Sequence, residues 1–252
     1  MIIRDDRGSI RVLRLAHGKV SAMDIELCEA IITELNAARD GSVAALVITG
    51  TGSSFSAGVD LFRVVNDGPA YGARFLPVLD AMLRAALTFP KPIVAAVNGH
   101  AIAGGCILAA TCDHRVMAEG TARIGVPELV VGVPFPALPL EIMAARVPAS
   151  SLRHLVYSGR NVQVDEALAM GLVDEKCPPD QLVDRACAAA QQLASIPANA
   201  FALTKETFYS LILARVEQLA DLNARVVEAW KQQATYDTIR AYLERTVGKK
   251  PG

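Results

Sequence analysis

Short apolar runs rich in β-branched residues alternate with longer stretches of helical period along the first 150 residues. SIRVLRLA (9–16) alternates polar and apolar positions as a strand with one buried face does. MDIELCEAIITELNAARD (23–40) instead places Ile25, Cys28, Ile31, Ile32 and Leu35 on one helical face. Three further runs, AALVITG (44–50), PIVAAVNG (92–99) and HRVMAE (114–119), read as buried strands. From about residue 150 the pattern turns helical, through SSLRHLVYSG, VDEALAMGL and DQLVDRACAAAQQLASI to two long amphipathic stretches at 199–220 and 221–245. The succession predicts an α/β core with a parallel sheet over residues 1–196 and, after a break near Pro197, a helical region over 197–252.

Composition narrows what such a chain can do. At 252 residues, 52% of them apolar, it is long enough to bury roughly three quarters of its unfolded surface. A net charge of -1 leaves no electrostatic footprint for nucleic acid or an anionic membrane, so a small molecule is the expected partner. The N-terminus lacks the continuous apolar core of a signal peptide, and no window approaches a membrane span, which predicts a cytoplasmic protein. Five cysteines, an odd number without a C-x-x-C pair, and four scattered histidines predict reduced, mostly buried thiols, no disulfide framework and no metal.

Two loops share one construction. VITGTGSSFSAGVDL (47–61) and VNGHAIAGGCILAA (97–110) each follow a β-run and deliver small residues to a helix start. Glycine costs a helix interior about 1 kcal/mol against alanine, so the Gly104–Gly105 pair at a helix head needs a reason. Small residues let backbone approach a ligand closely, and free N–H groups at a helix head favour negative charge. Two such loops side by side would aim two donors at one oxygen, the arrangement that stabilises an enolate.

FSAGVDL, NGHAIAGGCILAATCDHRV and IGVPELVVGVP resemble, in order and spacing, the three signature segments of the crotonase superfamily, the enoyl-CoA hydratase and isomerase group. GSIRVLRLAHGKVSAMDIEL, SGRNVQVDEALAMGLVDEKCP and AYLER extend the resemblance over nearly the whole chain. It implies a crotonase-like spiral of ββα repeats with a C-terminal helical trimerisation region, assembled as a homotrimer or a dimer of trimers. It further implies an acyl-CoA thioester substrate from fatty-acid β-oxidation, with coenzyme A as part of the substrate and no separate cofactor. By the same resemblance the oxyanion donors are the N–H groups of Val59 and Gly104, and Ala57, Gly58, Val59, Asp60 and Leu61 join Gly104 in binding substrate and CoA.

The carboxylates choose the reaction. Hydratases of this group carry two acids, and the first position here is Ile107, while the second is kept as Glu128. Isoleucine cannot hold or deprotonate water. One carboxylate suffices to take a proton from C2 of a 3-enoyl thioester and return it at C4. The resemblance therefore implies a Δ3,Δ2-enoyl-CoA isomerase with Glu128 as acid and base; a 2-enoyl-CoA hydratase and a non-catalytic CoA-binding homologue are the alternatives. Pro134–Phe135 and the ending AYLERTVGKK agree with the isomerases, Pro127 departs from them, and Phe135 stands where a dienoyl isomerase needs a further acid.

Ile107, Val126, Leu129 and Phe135 are expected to surround Glu128 and raise its proton affinity. Phe62, Tyr71, Phe75, Leu76, Met82 and Leu83 are expected to wall the acyl pocket. Glu141 reads as a solvated helix position or a second acid, His100 as a structural hydrogen-bond partner, and Asp60 as a helix cap. Lys19, Lys249 and Lys250 are either solvated or meet CoA phosphates. A dinucleotide loop at 50–58 lacks its acid about twenty residues on, since Asp67 lies in the turn NDGP, and residues 103–106 offer no serine nucleophile.

Overall fold

The computed structural model describes residues 1–246. Strands β1 (Ile2–Arg7) and β2 (Ile10–Leu15) form a hairpin followed by helix α1 (Ile25–Asp40). Three turns of strand, strand and helix come next. They are β3 (Ala45–Thr49), β4 (Ser54–Ser56) and α2 (Leu61–Leu87); β5 (Ile93–Val97), β6 (His100–Ile102) and α3 (Gly104–Thr111); then β7 (His114–Ala118), β8 (Ile124–Gly125) and α4 (Glu128–Val131). Helices α5 (Ala137–Ala144) and α6 (Ala149–Ser158), strand β9 (Asn161–Val162), helix α7 (Val164–Ala169), strand β10 (Glu175–Cys177) and helix α8 (Leu182–Ala194) complete the layers. Helices α9 (Ala198–Gln218), α10 (Ala220–Trp230) and α11 (Gln233–Thr246) follow Pro197.

Each turn of this spiral gives one strand to each of two sheets. The larger sheet has the order β1-β2-β3-β5-β7-β10, parallel except for the β1–β2 pair. The smaller has the order β4-β6-β8-β9, with only β9 antiparallel to its neighbour. Strand side chains alternate between faces and both faces of these strands are covered, which explains why β5 is apolar throughout and β3 is apolar up to Thr49. Ala45, Val47, Val94 and Ala96 face one way, onto Leu182, Ala186 and Ala190 of α8. Leu46, Ile48, Ile93, Ala95 and Val97 face the main core with α1, α2 and α3. Both sheet faces are therefore dry.

The expected strands at 9–16, 44–50, 92–99 and 114–119 are present, as are the helices over 23–40 and after residue 150. Three departures have local causes. Strand β1 carries no strand signature because it is a polar, mostly exposed edge, IIRDDR, held by pairing with β2. The 221–245 stretch is two helices: it turns at Lys231–Gln232, where the Thr235 hydroxyl donates to Ala229 O at 2.6 Å. The turn at NDGP is one residue within a 27-residue element, because Gly68 takes φ 72° and Pro69 restarts the helix where no N–H partner is required. Helix α11 then folds back so that Tyr236, Ile239 and Leu243 join the core beside α2. Among the described residues no helix is long and apolar enough to cross a membrane. All five thiols are unpaired, four of them buried and Cys187 half-buried.

The α2–α11 contact carries a checkable tension. The buried Tyr236 hydroxyl has no hydrogen-bond partner among the described residues, and a Cβ built on Gly72 would overlap it. Tyr236→Phe is expected to leave the melting temperature unchanged or raise it, because an unsatisfied buried hydroxyl contributes nothing to the fold. Gly72→Ala should destabilise by about 1–3 kcal/mol through overpacking, and adding Tyr236→Phe should restore most of that loss in thermal denaturation.

Candidate active site

Two strand-to-helix turns meet at one wall of a cavity of about 340 Å³. In the first, Met23 and Val59 form a single parallel bridge: the Met23 N–H donates to Gly58 O at 2.7 Å and the Asp60 N–H donates to Met23 O at 2.9 Å. The bonds thus fall on the neighbours of Val59, whose own N–H takes no backbone acceptor among the described residues. In the second, Gly104 opens α3, so its N–H lies in the first helical turn, where no carbonyl precedes it to accept. A Cβ on Gly104 would stand 3.8 Å from Val59 N, which places the two donors side by side.

Their surroundings hold them there. Asp60 caps α2 by accepting from the Arg63 N–H at 3.0 Å, and Asp24 caps α1 by accepting from the Leu27 N–H at 2.8 Å. The two caps are bridged, since Arg63 also donates to Asp24 at 3.1 Å. Ala103, immediately before Gly104, has φ 50°, a left-handed conformation that costs an alanine about 1–3 kcal/mol and persists only where the surroundings impose it. Helix α3 is buried over its whole length. Its last carbonyls are covered by cations: Arg146 donates to Ala110 O and Cys112 O at 2.9 and 3.2 Å, and Arg115 to Cys112 O at 3.0 Å. Positive charge at the C-terminus and open N–H groups at the cavity end both complement the helix dipole.

Glu128 opens α4 across the same cavity, and the α4 turn is closed by the Gly132 N–H donating to Glu128 O at 3.0 Å. It is 9% exposed, and its Oε2 has no hydrogen-bond partner among the described residues. Burial pushes its carboxyl from the ordinary value near 4.5 up to about 7, with a backbone hydrogen bond opposing the shift. Such a group exchanges its proton near neutrality. Ile107, one turn into α3, contributes an aliphatic side chain to the wall. The other carboxylate among the lining residues, Asp60, is already engaged as a helix cap.

Ala57, Val59, Asp60, Leu61, Gly104 and Glu128 all line the cavity, and Gly58 lies directly behind, packed on the Gly104 backbone. Phe62, Leu76 and Leu83 form part of the wall as expected, whereas Tyr71, Phe75 and Met82 turn into the core. Positions 76, 79 and 83 share one stripe of α2 while 75 and 82 share the next, so the helix presents apolar residues on two sides. Tyr71 stacks on Phe75 and its hydroxyl accepts from the Ile25 N–H at 3.3 Å. Of the expected surroundings of Glu128, Ile107 and Phe135 line the cavity and Val126 is fully buried, but Leu129 faces outward, 41% exposed, because the α4 helix carries it to the opposite side.

His100 Nδ1 accepts from the Arg123 N–H at 3.2 Å, Glu141 faces Arg215 at 3.5 Å and Lys19 is exposed. Lys249 and Lys250 lie outside the described residues. Trp230, Tyr242 and Leu243 also reach the cavity. The amphipathic pattern of 221–245 signalled that this stretch covers something apolar, without saying what.

Residues 5–249 match the family described as enoyl-CoA hydratase/isomerase. A putative enoyl-CoA hydratase of Thermus thermophilus is 37% identical over 211 residues, covering 82% of each chain. The crystal structure of human mitochondrial Δ3,Δ2-enoyl-CoA isomerase has the same fold, with a TM-score of 0.93 over 99% of both chains at 24% identity. The apo structure of the Mycobacterium tuberculosis enoyl-CoA isomerase matches with a TM-score of 0.79 at 32% identity, over 95% of this chain and 97% of that one.

The Glu128 environment makes stability depend on pH. A carboxyl whose folded pKa is raised from near 4.5 to about 7 holds its proton more tightly when folded, so folding stability falls as pH rises through this window and the deficit persists above it. Glu128→Gln keeps the neutral form at every pH. Urea unfolding at pH 8.5 should find this variant more stable than wild type by up to about 3 kcal/mol, and the gap should close by about pH 4.5. A gap independent of pH would contradict the assigned environment.

Proposed function

The chain belongs to the enoyl-CoA hydratase/isomerase family, whose members act on acyl-CoA thioesters, and on that footing we propose that it is a Δ3,Δ2-enoyl-CoA isomerase. The observation that carries the reading is the single uncommitted carboxylate, Glu128, in an otherwise apolar cavity with Ile107 in its wall. Hydration of a 2-enoyl thioester requires water to be held and deprotonated, and among the described residues the cavity offers no pair of free acids for that work. Moving a double bond requires only one group that gives up and regains a proton.

With a 3-enoyl thioester bound, the Glu128 carboxylate takes a proton from C2. The C2–H electron pair becomes the C1–C2 double bond of a dienolate whose charge rests on the thioester oxygen, with the C3–C4 double bond still in place; it moves to C2–C3 when C4 is protonated and the C1 carbonyl reforms. The Val59 and Gly104 N–H groups donate to that oxygen, at the positive end of α3. Glu128 then returns the proton to C4 while the C3–C4 double bond is lost, leaving the conjugated 2-enoyl product. The apolar wall serves the reaction twice, by holding Glu128 near neutrality and by excluding water that would compete for the dienolate. The Mycobacterium tuberculosis relative is described both as an enoyl-CoA isomerase and as a probable enoyl-CoA hydratase, and the hydratase name of the Thermus thermophilus relative likewise keeps hydration as the activity to be tested against this reading. Exposed Leu203, Phe208 and Leu211 on α9 support assembly through the C-terminal helices, as in the trimers that the sequence resemblance implies.

Trans-3-hexenoyl-CoA should gain conjugated-thioester absorbance with the purified protein, and crotonyl-CoA should lose none. The kcat/KM should rise with pH through a single ionisation near 7, since the base must be deprotonated. Glu128→Gln should lower it about 10²–10⁴-fold. Hydration of crotonyl-CoA without isomerisation would overturn the assignment. In Gly104→Val the new Cβ stands 2.9 Å from Met23 Sδ, a flexible atom that can give way, so the variant should fold, yet turnover should be lost because the branched side chain screens both donors. Undiminished turnover would remove Gly104 from the oxyanion site.

A further inference from the structure

The proposed reading leaves the length of the acyl group open, and on that reading one side chain is placed to set it. We propose that the indole of Trp230 is the stop against which the acyl chain ends, so that this cavity takes medium-chain acyl-CoA.

Trp230 is the only tryptophan in the chain and closes α10. It is 5% exposed and lines the cavity beside the segment that follows Glu128. Its ring is fixed. Nε1 donates to Pro134 O at 3.2 Å, and the same segment is tied to α10 a second time where the Ala137 N–H donates to Asn223 Oδ1 at 2.9 Å. Swinging the indole aside would break this partly buried hydrogen bond, so the ring acts as a wall and not as a flexible filler. Along the cavity, Leu76, Leu79 and Leu83 form a stripe on α2 that spans about 10 Å at 1.5 Å per residue. An extended chain advances about 1.2 Å per bond, so such a stripe accompanies about eight carbons.

Saturated acyl-CoAs cannot isomerise, so they test the stop separately from the chemistry. Calorimetry should find affinity rising from butanoyl- to octanoyl-CoA, levelling at decanoyl-CoA and falling about tenfold or more at dodecanoyl-CoA. Tryptophan emission, which reports this one residue, should match that of free CoA with butanoyl-CoA and change with octanoyl- and decanoyl-CoA. Trp230→Ala should remove the penalty on dodecanoyl-CoA, whereas Trp230→Phe should keep the wild-type order. Trp230→Leu, a smaller truncation, should shift the limit in the same direction should the alanine variant fail to fold. Emission that ignores chain length while calorimetry records binding, a length order unchanged in the truncated variants, or no binding of any acyl-CoA would each overturn the proposal. Failure of the isomerase reading has a different signature: no conversion of 3-hexenoyl-CoA, with the length-dependent emission intact.

Discussion

The backbone of residues 56–58 lies against that of 102–105 more closely than two chains bearing side chains can approach. A Cβ on Gly58 would overlap Ile102 O and reach within 2.9 Å of Gly104 N, and a Cβ on Gly105 would overlap Ser56 O. Everything at the site depends on this contact, because it brings the Val59 and Gly104 N–H groups, 45 residues apart in the chain, to one wall. The cost is visible in the strained Ala103 and in Ser21, the other non-glycine residue with positive φ among those described. Ser21 is part of the clamp: its carbonyl accepts from the Ser56 hydroxyl at 2.7 Å. Strain of this kind persists where the surrounding structure over-determines the backbone, and here two sheets and three helix starts do so.

The chemistry of Glu128 is a product of packing and not of a charged partner. Among the described residues no cation shifts it toward the ionised form; burial raises its proton affinity. The same wall that tunes the acid would receive the acyl chain. This economy links stability and function in opposite directions, since the ionised form that starts the proposed reaction is the form the fold disfavours.

The spiral supplies most of the cavity lining and the C-terminal helices complete it. Helix α10 anchors the segment after Glu128, and α11 crosses back over α2 with Tyr242 and Leu243 at the cavity. Residues on both sides of Pro197 therefore meet in one site.

The alternation of apolar runs and helical stretches determined the α/β class, and the spacing of the three loop segments determined which residues to look at. These are local properties: strand period, glycine where backbone must pass close, an acid after a turn proline. Substitution of an acid by Ile107 was legible for the same reason, since it is a residue at a position. What the sequence left open depends on direction and on distant neighbours. Period alone placed Phe75 and Met82 as readily in the acyl wall as in the core, and only the rotation of α2 beyond the Gly68 kink separated them from Leu76, Leu79 and Leu83. Leu129 has the same composition as a pocket residue and points outward because one short helical turn carries it there. Trp230 reaches the cavity from the end of α10, bonded to Pro134 O 96 residues earlier, and Leu243 reaches it only after the chain reverses at Lys231–Gln232; no local pattern encodes either approach. The sequence determined the chemistry available; the tertiary structure decided which side chains enclose it, because enclosure depends on where helices cross and not on what they are made of.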